Sequence, residues 1–272
     1  MPELAEVEFY RRVWTPGLGQ RVLRVEIAPR SRVFRPGLPD GLPDALAGAD
    51  LTSARAHGKH LLFGFGDAGW LGVHLGMTGA LRCLPADVPA APHDHLLLRQ
   101  TARTLVFHDP RTFGRIVHHP GPASRLPDAW LSLPPELLSR RFSVGRVADR
   151  MARSARSPLK AVLLDQGAFP GIGNWMADEI LWRCRLHPAI PAGRLAATDV
   201  ARLRKEIRHV AREALRIIAP DWTDPPETWL FRHRWKDGGH CPRRGCGAGL
   251  RRETVRGRTT CWCPACQKPP TG

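Results

Sequence analysis

The chain has 272 residues, 43% of them hydrophobic, enough for a packed core and long for a single one, so two domains plus a small module is the expected organisation. Lys and Arg total 41 against 25 Asp and Glu, a net charge of +16 with a pI near 10.9, which favours a polyanionic partner, nucleic acid before an anionic membrane. No stretch approaches ~18 uninterrupted apolar residues and the N-terminus lacks a charged-then-apolar leader, so a membrane partner is not expected and a cytoplasmic protein is.

The chain opens MPELAEVEF. Pro2 suits a first helical turn, where its missing N–H would be unpaired anyway, and Glu3, Glu6 and Glu8 suit the positive end of a helix dipole. Leu4, Val7, Tyr10 and Trp14 recur at helical spacing, which predicts a helix over 4–14. A second reading stays open beside this one. Removal of Met1 would make Pro2 a terminal secondary amine; an α-amino group titrates near ~8, so part of it is unprotonated at neutral pH and able to attack carbon.

Short β-like runs follow. RVLRVEI (21–27) alternates Leu23, Val25 and Ile27, and LLFGFG, WLGVHLG, HLLLRQT and TLVFHD are separated by Gly, Pro and Asp turns. This spacing predicts a sandwich or barrel over residues 1–120. The proline-rich stretch 118–136 reads as a linker with a short helical turn. From about residue 136 the pattern is helical: SPLKAVLLDQ, NWMADEILWRC and DVARLRKEIRHVAREALRIIAP. The last sets Val200, Leu203, Ile207, Val210 and Leu215 on one face, with Thr198 as the expected N-cap and Pro220 as the stop.

Between two of these helices lies PGIGN (170–174). Such a turn presents backbone N–H groups beside a helix N-terminus and can grip phosphate, or it can be ordinary turn chemistry. Asn174 can cap the helix or donate to a phosphate. The tail is cysteine-dense. Cys83 and Cys184 stand apart as small core residues, while Cys241, Cys246, Cys263 and Cys266 follow C-x4-C-x16-C-x2-C. That is close to the spacing of a four-thiolate zinc ribbon, with one structural zinc stabilising a hairpin too small for its own core. Cys261 and His240 lie nearby and leave the ligand set open. Arg251, Arg252, Arg256 and Arg258 on the hairpin are solvated or grip phosphate.

Taken together, MPELAEVE, HGKHLL, HLGMTGALR, DPRTFGR, PGIGNWMADEIL and the cysteine tail, in this order, resemble the formamidopyrimidine-DNA glycosylase and endonuclease VIII group of base-excision repair enzymes. The resemblance spans essentially the whole chain. It implies an α+β fold: an N-terminal helix plus β-sandwich domain (1–120), a linker (121–136), a helical domain with a helix–two-turn–helix motif (137–236) and a zinc finger (237–272), with damaged double-stranded DNA held between the domains. It implies that Pro2 is the nucleophile, Glu3 the general acid/base, Glu6 a supporting carboxylate and Lys59 a lysine that contacts phosphate and assists catalysis. Met77, Arg111 and Phe113 match the trio that fills the gap left by a flipped nucleotide, a wedge the chemistry requires because a stacked base blocks attack on its sugar. His74, Lys160, Asn174 and Arg258 match phosphate contacts around the lesion.

The chain departs from the family pattern at Ala5, where a second proline is usual, at Thr112, where a basic residue is common, and in the C-x4-C pair. The stretch 220–240 is also short, where the family carries a loop that closes over 8-oxoguanine. The expectation is therefore a monomeric bifunctional glycosylase and abasic-site lyase acting on oxidised purines, formamidopyrimidines before 8-oxoguanine. The alternatives are a glycosylase for oxidised pyrimidines and a non-catalytic reader of abasic or damaged DNA; a zinc-ribbon regulator would leave the N-terminus unexplained.

Overall fold

A computed structural model describes residues 1–269 except 30, 36 and 236. The chain divides into two units, Met1–Pro2 with Glu6–Leu133, and Glu3–Ala5 with the residues from Pro134 onward.

Helix α1 (Leu4–Val13) opens the fold. Val7 and Trp14 enter the core of the first unit, Ala5 that of the second. The first unit then runs through β1 (Arg24–Ile27), α2 (Leu42–Leu46), β2 (Ser53–His57), β3 (His60–Gly64), β4 (Trp70–His74), β5 (Ala80–Pro85), β6 (Asp94–Arg99), β7 (Arg103–His108), β8 (Arg115–His119) and the short α3 (Asp128–Leu131). Two four-stranded antiparallel sheets result, ordered β1-β6-β7-β5 and β2-β3-β4-β8. Alternate residues of both sheets, including Leu61, Phe63, Leu71, Val73, Leu96, Leu98, Leu105, Phe107 and Ile116, form one core, which is the expected sandwich. One register differs from expectation. Leu23 is 57% exposed while Val22 is fully buried, because the strand begins only at Arg24 and Val22 is already tied across to Ala49 and Gly48.

The second unit contains α4 (Val144–Arg153), α5 (Leu159–Leu163), α6 (Asn174–Cys184) and α7 (Ala197–Ile217), followed by the hairpin of β9 (Arg251–Val255) and β10 (Arg258–Trp262). Helix α7 buries Val200, Leu203, Ile207 and Val210 as its spacing predicts, but Ala214 rather than Leu215 completes the stripe. Its N-cap is Ala196, not Thr198: Asp199 reaches back to accept the Ala196 N–H at 3.3 Å, the carboxylate half of a capping box with no hydroxyl at the cap position. No helix among the described residues is long and apolar enough to cross a membrane.

Candidate active site

The Glu3 side chain, only 3% exposed, sits at the N-terminus of α6. Its carboxylate accepts the backbone N–H groups of Gly173 (2.9 Å), Trp175 (2.9 Å) and Met176 (3.1 Å). These are among the groups a helix N-terminus leaves unpaired, and together with the dipole they stabilise the carboxylate as an anion. A Cβ at position 173 would lie 2.3 Å from the Glu3 carboxyl carbon and push the carboxylate off these donors, so glycine there is what lets it sit on the turn. The Leu4 N–H also bonds to Gly171 O at 3.0 Å, fixing the first turn of α1 on the same glycine turn. The PGIGN motif thus holds a carboxylate of this chain. Its N-cap is Gly173; Asn174 is the first helical residue, one place later than a cap. Pro2 is half-buried immediately before Glu3, and Glu6 is buried on α1.

In the first unit the residues matched to the wedge lie on two loops. Met77 is 44% and Phe113 53% exposed, values that remove both from the core. The loops pass so closely that a Cβ on Gly76 would meet the Phe113 backbone at 2.4 Å. A residue not singled out in the sequence, Asp109, holds them together. Its fully buried carboxylate accepts Thr78 Oγ1 at 2.6 Å, the Arg111 N–H at 3.2 Å and the Gly114 N–H at 2.6 Å. A bulge in β6 sends His95 to the Asp109 carbonyl at 3.0 Å. The Arg111 guanidinium lies over the Phe113 ring at 4.7 Å, a cation–π contact that sets two of the three matched side chains against each other.

Lys59 is buried at the tip of the β2–β3 hairpin. His74, at the end of β4, is paired in register with His60. Burial lowers the His74 pKa to about 4, helped by the charges of His60, Lys59 and Arg115. The Gly76 N–H donates to His74 Nδ1 at 3.1 Å, so the neutral ring carries its proton on Nε2. His74 is therefore an uncharged donor, and it borders a cavity of about 420 Å³ also lined by His60, Arg115, His119 and Trp130.

The second unit gathers the remaining matched residues around Asp178, another residue the sequence did not single out. Lys160 is fully buried; its ammonium donates to Asp178, to Asn174 O (3.2 Å) and to Thr259 O (3.4 Å). Asp178 also accepts both Nη2 (2.7 Å) and Nε (3.2 Å) of Arg234 and the Cys261 N–H (3.1 Å). The Asn174 amide donates to Thr259 O at 2.8 Å. Lys160 and Asn174 thus both hold β10, whose first residue, Arg258, is exposed.

The Sγ atoms of Cys241, Cys246, Cys263 and Cys266 lie within 4.8 Å of one another, with pairs at 3.6, 3.6 and 3.9 Å. Tetrahedral zinc with four thiolates requires sulfurs about 3.8 Å apart, so the cluster is positioned to hold a structural zinc. Cys261 and His240 are outside the cluster. Trp182 Nε1 donates to Cys241 Sγ at 3.2 Å, and Gln267 accepts the Cys263 N–H at 2.8 Å while donating to Leu186 O. Four thiolates leave no open position, so the metal would supply folding energy and no chemistry at the substrate.

Residues 1–116 match the family model of the formamidopyrimidine-DNA glycosylase N-terminal domain, and residues 133–221 match that of the formamidopyrimidine-DNA glycosylase H2TH domain. The formamidopyrimidine-DNA glycosylases of a Roseiflexus species and of Thermus thermophilus are each 37% identical over 279 residues, covering 98% of this chain and 100% and 98% of theirs. Among solved structures, the Lactococcus lactis enzyme bound to DNA with an abasic site superposes with a TM-score of 0.87 at 28% identity, over 98% of this chain and 100% of that one. A mutant of that enzyme bound to DNA containing Fapy-dG gives the same TM-score at 27% identity. Two family models that together match most of the chain and relatives 37% identical over nearly its whole length agree, and the chain belongs to the formamidopyrimidine-DNA glycosylase family.

Proposed function

We propose that this protein is a bifunctional DNA glycosylase and abasic-site lyase that removes oxidised bases from double-stranded DNA. The observation that carries the reading is the Glu3 carboxylate, next in sequence to Pro2 and held on three backbone N–H groups at the mouth of α6. This fixes a carboxylate directly after the nucleophile in sequence, the kind of group that general acid–base chemistry uses.

Once Met1 is removed, the Pro2 nitrogen is a secondary amine. Its lone pair attacks C1′ of the damaged nucleotide; the bond from C1′ to the base breaks, and the base leaves with a proton. Opening of the sugar ring gives an iminium between Pro2 and C1′, which draws electrons from C2′ and acidifies its proton. Loss of that proton expels the 3′ phosphate, and a second elimination expels the 5′ phosphate. Glu3 moves protons at the sugar, Glu6 supports it, and Lys59 holds a phosphate.

The wedge of Met77, Arg111 and Phe113 fills the vacated stack, the flat or unbranched side chains entering it while Arg111 donates to the orphaned partner base. His74 and Arg258 contact the phosphates around the lesion, and Lys160 and Asn174 act there through β10, which they hold and which carries Arg258. We assign catalysis to residues 1–120, the grip on DNA to 137–236 and 237–272, and the action to a monomer in the cytoplasm, at the nucleoid. Ring-opened purines are the first substrate class. Oxidised pyrimidines are the second, because the segment before Cys241 is pinned to α6 through Phe231 and Arg234, and a pinned segment encloses a base less selectively than a closing loop.

The test is borohydride trapping on duplexes carrying an abasic site, a formamidopyrimidine, 8-oxoguanine or an oxidised pyrimidine, with mass spectrometry of the trapped peptide. A crosslink at Pro2 in a chain lacking Met1 is expected, and its rate ranks the lesions. Tight binding to abasic DNA with no crosslink on any duplex would instead identify a non-catalytic reader.

A further inference from the structure

Trp235 is one of the most exposed large apolar side chains of the protein, at 55%. It is not loose. The Arg234 guanidinium lies over its ring at 4.6 Å, and its edge meets Phe231 with ring centroids 5.2 Å apart. Both supports are themselves fixed. Arg234 is buried and ion-paired with Asp178, while Phe231 packs T-shaped on Trp175 at 5.0 Å and its N–H bonds to the buried Glu179 at 3.1 Å.

Two contact routes lead from this ring to the chemistry. Through Phe231 and Trp175 it reaches the N-terminus of α6, where the Trp175 N–H holds Glu3. Through Arg234 and Asp178 it reaches Lys160. An exposed indole, backed by a cation and braced on both routes, is a rigid aromatic platform with more than half of its surface open to a planar partner.

We propose that Trp235 is a substrate-binding residue that stacks on the everted damaged base, doing with a rigid ring what a closing loop would do by enclosure. This rests on the glycosylase reading above. The chemistry favours a base as occupant, because a planar heteroaromatic ring is the one part of a flipped nucleotide that gains from an indole face, and the cation behind that face suits an electron-rich partner. Stacking is sequence-tolerant, since every base has a π-face. The platform therefore holds oxidised purines and oxidised pyrimidines alike and distinguishes both from a site with no base at all.

The experiment compares wild type, Trp235→Ala and Trp235→Phe in single-turnover reactions on duplexes with a formamidopyrimidine, an oxidised pyrimidine or an abasic site. Base–aromatic stacking of about 1–3 kcal/mol corresponds to roughly 5- to 150-fold in rate. Trp235→Ala is expected to lower the ratio of base excision to abasic-site cleavage by about that factor on both lesions, and Trp235→Phe to recover most of it. An unchanged ratio overturns the proposal, whether both rates hold or both fall together; the second pattern marks the ring as a scaffold for the segment, which thermal denaturation of the alanine variant would register independently. Borohydride trapping of wild type on the abasic duplex keeps this outcome separate from a failure of the glycosylase reading, since that adduct forms without any base to stack.

Discussion

At the scale of single residues, Asp109 shows how few groups fix the two loops that carry the proposed wedge. One buried carboxylate takes a hydroxyl from the Met77 loop and two backbone N–H groups from the Phe113 loop, and removing it leaves the Gly114 N–H, whose bond is the buried one of the three, without its partner, at a cost of about 1–3 kcal/mol. Asp109→Ala is expected to lower the melting temperature and to slow base excision at least tenfold, because Met77 and Phe113 lose their common anchor; Asp109→Asn, which keeps one acceptor oxygen, should fall between. Single-turnover excision with thermal denaturation checks this, and full-speed excision by the alanine variant would remove Asp109 from the wedge. The sequence alone did not single out this residue, since Thr78 lies 31 positions away and no local pattern links the two loops. Met77 and Phe113 were legible only through the resemblance: taken singly, a methionine and a phenylalanine between apolar strands read as core, and exposure is what separates the two meanings. Glu3 was expected as the general acid/base only through the resemblance, and its three donors were not legible at all, because the glycine turn reads equally well as a phosphate grip.

At the scale of elements, legibility followed periodicity. The long helix α7 declared its face, since most of its turns repeat one stripe, and β3, β4, β6 and β7 declared themselves as apolar runs. SARAH (β2), ALRCLP (β5) and RIVHH (β8) did not. β8 places only Ile116 in the core, and its other face carries Arg115, Val117 and His119, so too little of its alternation is apolar to read as a strand. The segment after α7 was legible only as short, and the structure adds how it is held. Glu179, buried on α6, accepts the Phe231 N–H at 3.1 Å and Arg183 Nε at 2.7 Å. Burial pushes its pKa up from 4.5 to about 7 despite these partners. A carboxyl with a raised folded-state pKa adds stability that is fully present below its unfolded value and lost as pH rises through the folded one. The contribution of Glu179 is thus complete below about pH 4.5 and gone above about pH 7. Glu179→Gln keeps an acceptor for Phe231 without the titration, so the stability difference between wild type and variant should shift in favour of the variant as pH rises from 5 to 8. Urea unfolding across that range measures it; a difference independent of pH would mean that Glu179 stays ionised throughout.

At the scale of the whole molecule, the net charge of +16 overstates what is offered to DNA. Arg204 and Arg208 donate to the carbonyls of Phe142, Leu137 and Ser139, and Lys160 and Arg234 are spent on Asp178. Another contact proposed around the lesion carries no charge: His74 remains neutral down to about pH 4. Counterion release counts only cations, with the logarithm of affinity falling by about 0.9 per phosphate neutralised for each unit of log salt. The two kinds of contact therefore separate in a salt series on an abasic duplex at neutral pH. Arg258→Gln should weaken binding and flatten the salt slope by about one. His74→Asn should weaken binding with the slope unchanged, because what is lost is a neutral Nε2 donor. Arg208→Gln, whose guanidinium is committed to carbonyls, should leave the slope where it was. If His74→Asn flattened the slope as Arg258→Gln does, the imidazole would be charged on DNA, and its burial beside His60, Lys59 and Arg115 would have to be relieved when the phosphate arrives.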